Sequence, residues 1–148
     1  MIVQPHTSMA VKVKRIYEKP LRGDGKRVLV DRLWPRGLRK DTAAVAEWMR
    51  ELAPSDRLRQ WFHLHPEAWS LFRQKYLEEL GTEGASEQLK LLHHIANSFA
   101  NVTLLFASRD LEHNNAVVLK ELLDGMRKPP RGTGPVARKT RRSQSRKF

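Results

Sequence analysis

The sequence predicts a single α/β domain with a mostly parallel sheet flanked by helices. Two segments, residues 28–30 and 102–107, are apolar on both faces, as strands buried on both sides of a sheet are. Helix-like segments lie between them, and strands connected through helices pair in parallel. The length of 148 residues suits one domain. We place that domain at residues 10–126, between a disordered N-terminus at residues 1–9 and a disordered basic tail at residues 127–148.

The strands follow from alternation and from apolar runs. Residues 11–17 alternate between two faces, with Lys12 and Lys14 on one of them, which is typical of a partly exposed strand. A turn-like segment at residues 22–25 precedes the second strand, which begins at Val28. The third strand, residues 102–107, is apolar throughout except for Thr103.

Five helices are predicted from apolar residues at helical spacing. The first has its apolar stripe at residues 45–52 and Asp41 or Thr42 as its N-cap, and the second is short and capped by Ser55. Pro66 suits the first position of the third helix, which Gly81 ends. The fourth covers residues 86–99. The fifth covers residues 114–124, and Gly125 is expected to end it.

The net charge of +12 is concentrated at the C-terminus. Residues 127–148 hold nine basic and no acidic residues, which leaves 19 basic against 16 acidic residues and a net charge of +3 for residues 1–126. The tail has little to bury, so it is predicted to be disordered. It suits either a salt-sensitive arm for nucleic acid or another polyanion, or a solubilising extension without a partner.

Composition also excludes several classes of protein. The chain has no cysteine, which excludes disulfides, thiolate metal sites and a thiol nucleophile. No apolar run approaches the ~18 residues of a membrane span, and the first ten residues lack a signal-peptide pattern. We therefore expect a cytoplasmic protein with no membrane partner. The histidines lack carboxylates at ligand spacing, so no metal site is predicted, and no motif identifies a cofactor.

Two segments follow buried strands and are candidates for chemistry, because ligands of open α/β sheets bind beyond the carboxyl ends of the strands. Residues 31–40 combine four cations with one tryptophan, and their expected ligand-binding residues are Arg32, Trp34, Arg36 and Lys40. Arginine forks fit phosphate or carboxylate, and an indole offers a flat face. The alternative is a basic surface loop whose arginines pair with Asp31 and with glutamates, and whose tryptophan belongs to the core.

The second segment, residues 108–115, joins a buried strand to a helix N-terminus, which favours an anion. Its candidate catalytic residues are Asp110 and His113, since a histidine can transfer protons near neutral pH. Ser108 and Asn114 are candidate ligand-binding residues, and Arg59 is expected to lean toward the same pocket. In the simpler alternative, Asp110 or Asn114 is only a helix cap.

Several strings of the sequence resemble those of a known family. Residues 14–17, 27–37, 53–55 and 103–105, together with Asp110 and His113-Asn114, closely resemble the YeaO-like family of uncharacterised bacterial proteins (domain of unknown function 488), in collinear order over residues 11–123. The resemblance implies a small cytosolic α/β protein with no settled activity. More distant relatives carry cysteines near positions that match Phe106, Ser108 and residues 114–116 here, so a thiol-dependent role is excluded. The Trp-Pro-Arg-Gly string favours a ligand site in its loop.

Three hypotheses follow. In the first, the protein, as an enzyme or without activity, binds a phosphorylated or other anionic small molecule between the two segments. It predicts that Arg32, Trp34 and Arg36 line one concave site with Asp110 and His113. In the second, the protein associates non-specifically with nucleic acid through residues 127–148 and the basic loop. In the third, the domain is purely structural or only binds a partner.

Overall fold

The protein folds around a four-stranded sheet in which every strand is parallel to its neighbours. The computed structural model describes residues 10–126, so the predicted disordered ends, residues 1–9 and 127–148, lie outside the described residues. The strand order is β1-β4-β2-β3. The strands are β1 (Ala10–Arg15), β2 (Lys26–Leu29), β3 (Glu47–Trp48) and β4 (Asn101–Phe106). The predicted α/β class with a parallel sheet is confirmed.

Five α-helices accompany the sheet within residues 10–126. They are α1 (Lys40–Ala43), α2 (Asp56–Leu64), α3 (Trp69–Leu80), α4 (Glu83–Ser98) and α5 (Asn115–Met126). Side chains of α2–α5 form one core cluster with one face of the sheet, where Val28, Leu104 and Leu119 are fully buried. No helix among residues 10–126 is long and apolar enough to span a membrane.

The opposite face of the sheet is covered mainly by loop residues. Ile16, Leu29 and Leu105 are buried there, and the side chains packed on them belong to the segment after β2, namely Trp34, Leu38, Val45 and Trp48, and to Ala107. Since Leu104 and Leu105 are both fully buried on opposite faces, β4 needs a cover on each side. The segment that follows β2 therefore supplies part of the hydrophobic core.

The predicted helix over residues 45–52 is wrong. The chain instead ends α1 at Ala44, which has a left-handed φ of 55°, and continues into β3. Backbone hydrogen bonds pair this segment with β2, from Ala46 N–H to Arg27 O (2.9 Å) and from Met49 N–H to Leu29 O (2.9 Å). The apolar residues of the segment then divide between the two faces of the sheet, because the pairing outweighs a local preference for helix.

The remaining helices follow the local signals with small differences at their ends. Ser55 is the N-cap of α2, as predicted, and its Oγ accepts a hydrogen bond from Leu58 N–H (3.1 Å). The α3 helix ends at Gly81 as predicted, but it begins at Trp69, because Pro66 lies in a turn before it. Gly125 does not end α5, which continues to Met126, since one glycine costs a helix only ~1 kcal/mol.

A buried ionic cluster joins β1 to the turn that precedes β2. The side chain of Asp24 is 2% exposed, and its carboxylate binds Arg27 Nη1 (2.6 Å) and Lys14 Nζ (3.0 Å). The Arg27 guanidinium also donates to the carbonyl oxygens of Ala43 and Ala44, both at 2.9 Å. The cluster thus ties β1, the turn before β2 and the end of α1 together.

Candidate functional site

A cavity of about 580 Å³ opens at the carboxyl ends of β1 and β4. The cavity lies where open parallel sheets bind their ligands. The ends of β1 and β4, the loop that leads into α5, and α2 and α3 supply its walls. Its polar and charged lining residues are Arg15, Arg59, His63, Ser108, Arg109, Asp110, His113, Asn114 and Asn115; its apolar and aromatic ones are Tyr17, Pro54, Phe62, Pro66, Phe72 and Ala107.

Three arginines line this cavity. Arg15, at the end of β1, donates through Nε to the carbonyl oxygens of Ala107 (3.1 Å) and Ser108 (3.0 Å), which orients its guanidinium. Arg59, on α2, makes a long contact with Asp56 (3.4 Å), and both side chains are about half exposed. Arg109 has no ion pair or hydrogen bond within residues 10–126. These guanidinium groups give the cavity a positive charge.

Asp110 and His113 form a side-chain pair at the same cavity, with 3.2 Å between Oδ2 and Nδ1. Asp110 Oδ1 also accepts hydrogen bonds from the backbone N–H of Glu112 and of His113, each at 3.0 Å. The bond from Glu112, with the contacts to His113, lowers the pKa of the Asp110 carboxyl. This carboxylate therefore stays ionised and shapes the loop before α5.

The start of α5 is capped by Asn114. Its Oδ1 accepts from Val117 N–H (3.0 Å) and its Nδ2 donates to Asp110 O (2.8 Å). Ser108 Oγ accepts from Asp110 N–H (3.1 Å). A side chain at each end of the loop is therefore hydrogen-bonded to the backbone of Asp110. The α5 helix has 12 residues, and the positive end of its dipole faces the cavity. The segment after β4, in which the sequence predicts candidate site residues, thus lines the cavity.

Asp31 does not line the cavity but is hydrogen-bonded to two residues that do. Its Oδ2 accepts from Ala107 N–H (2.9 Å), and its Oδ1 accepts from Asn115 Nδ2 (3.2 Å). Burial raises the pKa of the Asp31 carboxyl, although these hydrogen bonds and the charge of Arg59 act in the opposite direction. Asn115 also donates to Val30 O (2.8 Å), so the ends of β2 and β4 are joined to the start of α5.

Arg32 and Trp34 are outside the lining of the cavity. The Arg32 guanidinium donates to the carbonyl oxygens of Ala53 (3.2 Å) and Pro54 (3.3 Å) and lines a separate depression of about 380 Å³. Trp34 Nε1 donates to Leu38 O (2.7 Å), and its ring lies 5.5 Å from that of Trp48 in an edge-on arrangement. Both side chains hold the loop that covers the sheet.

Arg36 and Lys40 are also outside the lining of the cavity. Arg36 is exposed. Its backbone oxygen accepts a hydrogen bond from the hydroxyl of Tyr17, a residue that lines the cavity (2.8 Å). Lys40 Nζ lies 5.5 Å from the centroid of the Trp34 ring. The structure therefore brings Arg59, Ser108, Asp110, His113 and Asn114 together, but it does not place Arg32, Trp34, Arg36 or Lys40 with them.

Sequence reasoning missed part of the cavity lining. Arg15 and Tyr17 fall on one face of the predicted strand over residues 11–17, although a cation at the carboxyl end of a parallel strand is itself a signal for a site there. Phe62 and Phe72 have no such signal, because helical spacing alone makes them core residues. Within the described part of the chain, no group of three or more histidines and acidic residues is arranged to hold a metal ion.

Comparisons with known proteins place the chain in a family. Residues 10–133 match the family model described as the Inactive DUF488-N3 subclade. The uncharacterized protein Rv3073c of Mycobacterium tuberculosis (strain ATCC 25618 / H37Rv) is 42% identical over 115 residues, which cover 78% of this chain and 94% of that protein. The uncharacterized protein YeaO of Escherichia coli (strain K12) is 39% identical over 115 residues, which cover 78% of this chain and 97% of YeaO.

No solved structure matches the chain. The family match and the identities extend over most of its length, in agreement with the collinear strings of the sequence. The chain therefore belongs to the YeaO-like proteins of the DUF488 family.

Proposed function

We propose that the protein binds a small organic anion, phosphorylated or carboxylated, in the cavity at the carboxyl edge of the sheet, without turning it over. The observation that carries this proposal is the convergence of Arg15, Arg59 and Arg109 on one cavity beside the start of α5. Guanidinium groups match phosphate and carboxylate oxygens, and a helix N-terminus adds to their attraction. A cytoplasmic location is part of the proposal.

The balance of charge at the cavity favours an anion. Three guanidinium groups stand against the carboxylate of Asp110, which His113 already contacts. The Asp31 carboxylate does not line the cavity, and it already accepts hydrogen bonds from Ala107 N–H and from Asn115 Nδ2. The Nε bonds of Arg15 hold that side chain in place, so it loses little side-chain entropy on binding.

Binding without turnover agrees with the groups present. Asp110 has a lowered pKa and accepts two backbone hydrogen bonds, which makes it a weak base. Ser108 Oγ accepts from a backbone N–H, and no histidine is bonded to it among residues 10–126. The family model that matches the chain is described as inactive, which supports the same conclusion. We assign Asp110 and His113 to the wall of the cavity.

Replacement of Arg59 by glutamine tests the site. We expect Arg59→Gln to weaken binding of phenyl phosphate about tenfold, because a charged hydrogen bond is lost from a partly enclosed site. Isothermal titration calorimetry of the full chain measures this change. Arg57→Gln is the matched control, since Arg57 lies on the same helix but lines another groove.

Arg32→Gln separates this proposal from a site in the loop after β2. We expect it to leave phenyl phosphate affinity within about twofold of the original value, because Arg32 does not line the cavity and its guanidinium is bonded to the carbonyl oxygens of Ala53 and Pro54. If Arg32→Gln abolishes binding while Arg59→Gln leaves it unchanged, the ligand binds at the loop and our assignment is wrong.

Association with nucleic acid is a second candidate function, favoured by the nine basic residues of the tail. A chain ending at Met126 has a formal charge of +3 instead of +12. We expect this truncation to weaken binding of a fluorescent DNA duplex more than tenfold at low salt and to flatten the salt dependence, because fewer counterions are released. Fluorescence anisotropy at two salt concentrations measures both. Equal affinity of the two chains would contradict this role of the tail.

A further inference from the structure

We propose that the cavity selects anions that carry a planar aromatic ring, such as an aryl phosphate or a nucleoside monophosphate, over inorganic and alkyl anions; this inference rests on the proposed anion site. The cavity has about 580 Å³, within the ~300–1,000 Å³ typical of small-molecule sites and far more than a lone phosphate fills. The rest of the lining therefore has to be explained by the remainder of the ligand.

One wall of the cavity is aromatic. The rings of Phe62 and Phe72 are stacked with centroids 4.3 Å apart and planes 21° from parallel. Trp69 packs against both, at 5.8 Å and 5.6 Å, and so limits their rotation. Phe62 is only partly buried, although such a ring would gain from full burial. A ring that is held in this way and lines the cavity offers an aromatic contact to a flat ligand.

The β1 side of the cavity presents two more flat groups. The Arg15 guanidinium lies 4.6 Å from the centroid of the Tyr17 ring, and the Tyr17 hydroxyl donates to Arg36 O, so each group is held at two points. Tyr17 is 41% exposed. Guanidinium and phenol planes both attract the face of a ring. Recognition of a ring by this side needs no rearrangement of the backbone.

Part of the anion-binding lining is separate from the aromatic wall, although Arg59 shares α2 with Phe62. Ser108, Arg109 and Asn114 belong to the loop between β4 and α5, whereas Phe62 and Phe72 belong to α2 and α3. A ligand with its charge at the α5 start thus directs its other end toward the aromatic wall. Trp69, which is 5.0 Å from the His113 ring, connects the two parts.

The test compares three probes of similar charge on the full chain: phenyl phosphate, n-butyl phosphate and inorganic phosphate. We expect phenyl phosphate to bind about fivefold more tightly than n-butyl phosphate, as expected for aromatic contacts. Saturation-transfer NMR should show the ring protons of phenyl phosphate in contact with the protein. The basic tail is the same in every experiment, so its attraction for phosphate cancels.

Two variants assign the preference to the proposed wall. Phe62→Leu keeps an apolar side chain and should reduce the preference for phenyl over butyl phosphate to less than twofold. Trp61→Leu is the control, because Trp61 lies on the same helix but lines the neighbouring groove. If thermal melting shows that Phe62→Leu is unfolded, Tyr17→Leu serves instead, since Tyr17 is a partly exposed residue of the opposite wall.

The outcomes separate this inference from the proposed function. Equal binding of phenyl and butyl phosphate, with Arg59→Gln weakening both, would overturn the ring preference and leave the anion site standing. A ring preference that Phe62→Leu and Tyr17→Leu leave intact would also overturn the assignment. Absence of binding by all three probes would overturn the proposed function itself.

Discussion

Replacing Asp24 by asparagine should lower the free energy of unfolding by about 3 kcal/mol, roughly 10 °C in melting temperature. The side chains of Asp24 and Arg27 are 2% and 5% exposed, and Lys14 is largely buried against the same carboxylate. An amide in place of the carboxylate leaves two cations without a counter-charge in a poorly solvated place. Denaturant unfolding of the two proteins measures the loss. Asp41→Asn is the control, because its partner Arg39 is 77% exposed, and it should change stability by less than about 0.5 kcal/mol.

The same carboxylate predicts a dependence on pH. Burial raises the pKa of Asp24, but the hydrogen bond from Leu21 N–H and the contacts with Lys14 and Arg27 outweigh it, so the pKa falls from 3.8 to about 2. A depressed pKa means that the stabilisation is complete above the unfolded value, near pH 4, and is lost as the pH falls toward 2. The stability difference between the wild-type protein and Asp24→Asn should shrink over that range. A difference that stays constant down to pH 2 would contradict the assignment.

Gly25→Ala should destabilise the fold by about 3 kcal/mol or more. Gly25 has φ 65° and ψ −134°, a conformation that other residues rarely adopt. A Cβ atom at this position would also overlap the carbonyl group of Asn101 and lie 2.7 Å from its carbonyl carbon. Because Asn101 is the first residue of the central strand β4, neither backbone can move without loss of sheet pairing.

Gly37→Ala separates the two causes. Gly37 also has a positive φ, 77°, but a Cβ there would have no atom within 4 Å. We expect a loss of about 1 kcal/mol, from backbone strain alone. Thermal or denaturant unfolding of both variants then isolates the steric part of the Gly25 effect. Equal losses at the two glycines would show that close approach to β4 contributes nothing.

The parts of the fold that the sequence predicts are those with local causes. Ser55 caps α2 through a hydrogen bond to a residue three positions away, and Gly81 follows the last residue of α3. The two-sided apolar run of β4 predicts a central strand, because only a strand covered on both faces buries Leu104 and Leu105 together. Each of these signals lies within a few residues of the structure it determines.

β3 is the opposite case. Residues 45–52 have helical spacing, but Ala46 and Met49 make their backbone hydrogen bonds to β2, about twenty residues earlier. The pairing places Val45 and Trp48 on one face of the sheet and Met49 on the other. Since Val45 and Trp48 help to cover Leu29 and Leu105, the gain comes from burial over the whole sheet. Spacing within the segment does not contain this information.

The candidate site was predicted only in part for the same reason. Residues 108–115 follow β4 directly, so their position at the carboxyl edge is set by the strand itself. The directions of the Arg32 and Trp34 side chains are set by partners that are distant in the chain. Arg32 donates to the carbonyl oxygens of Ala53 and Pro54, and Trp34 packs against the ring of Trp48. Four basic residues in a loop predict attraction for anions, but not which cavity they face.

The sequence alone predicts the α/β class with a parallel sheet, three of the four strands described, the family and the concentration of charge in residues 127–148. The class and the strands follow from apolar periodicity, and the family follows from residue strings, both of which are local features of the sequence. The concentration of charge follows from counting residues. Only the tertiary structure decided that the tryptophan loop covers the second face of the sheet and that Arg15, Arg59 and Arg109 meet beside the start of α5. Which side chains meet depends on the register of a parallel sheet, and that register is a property of strands far apart in the chain.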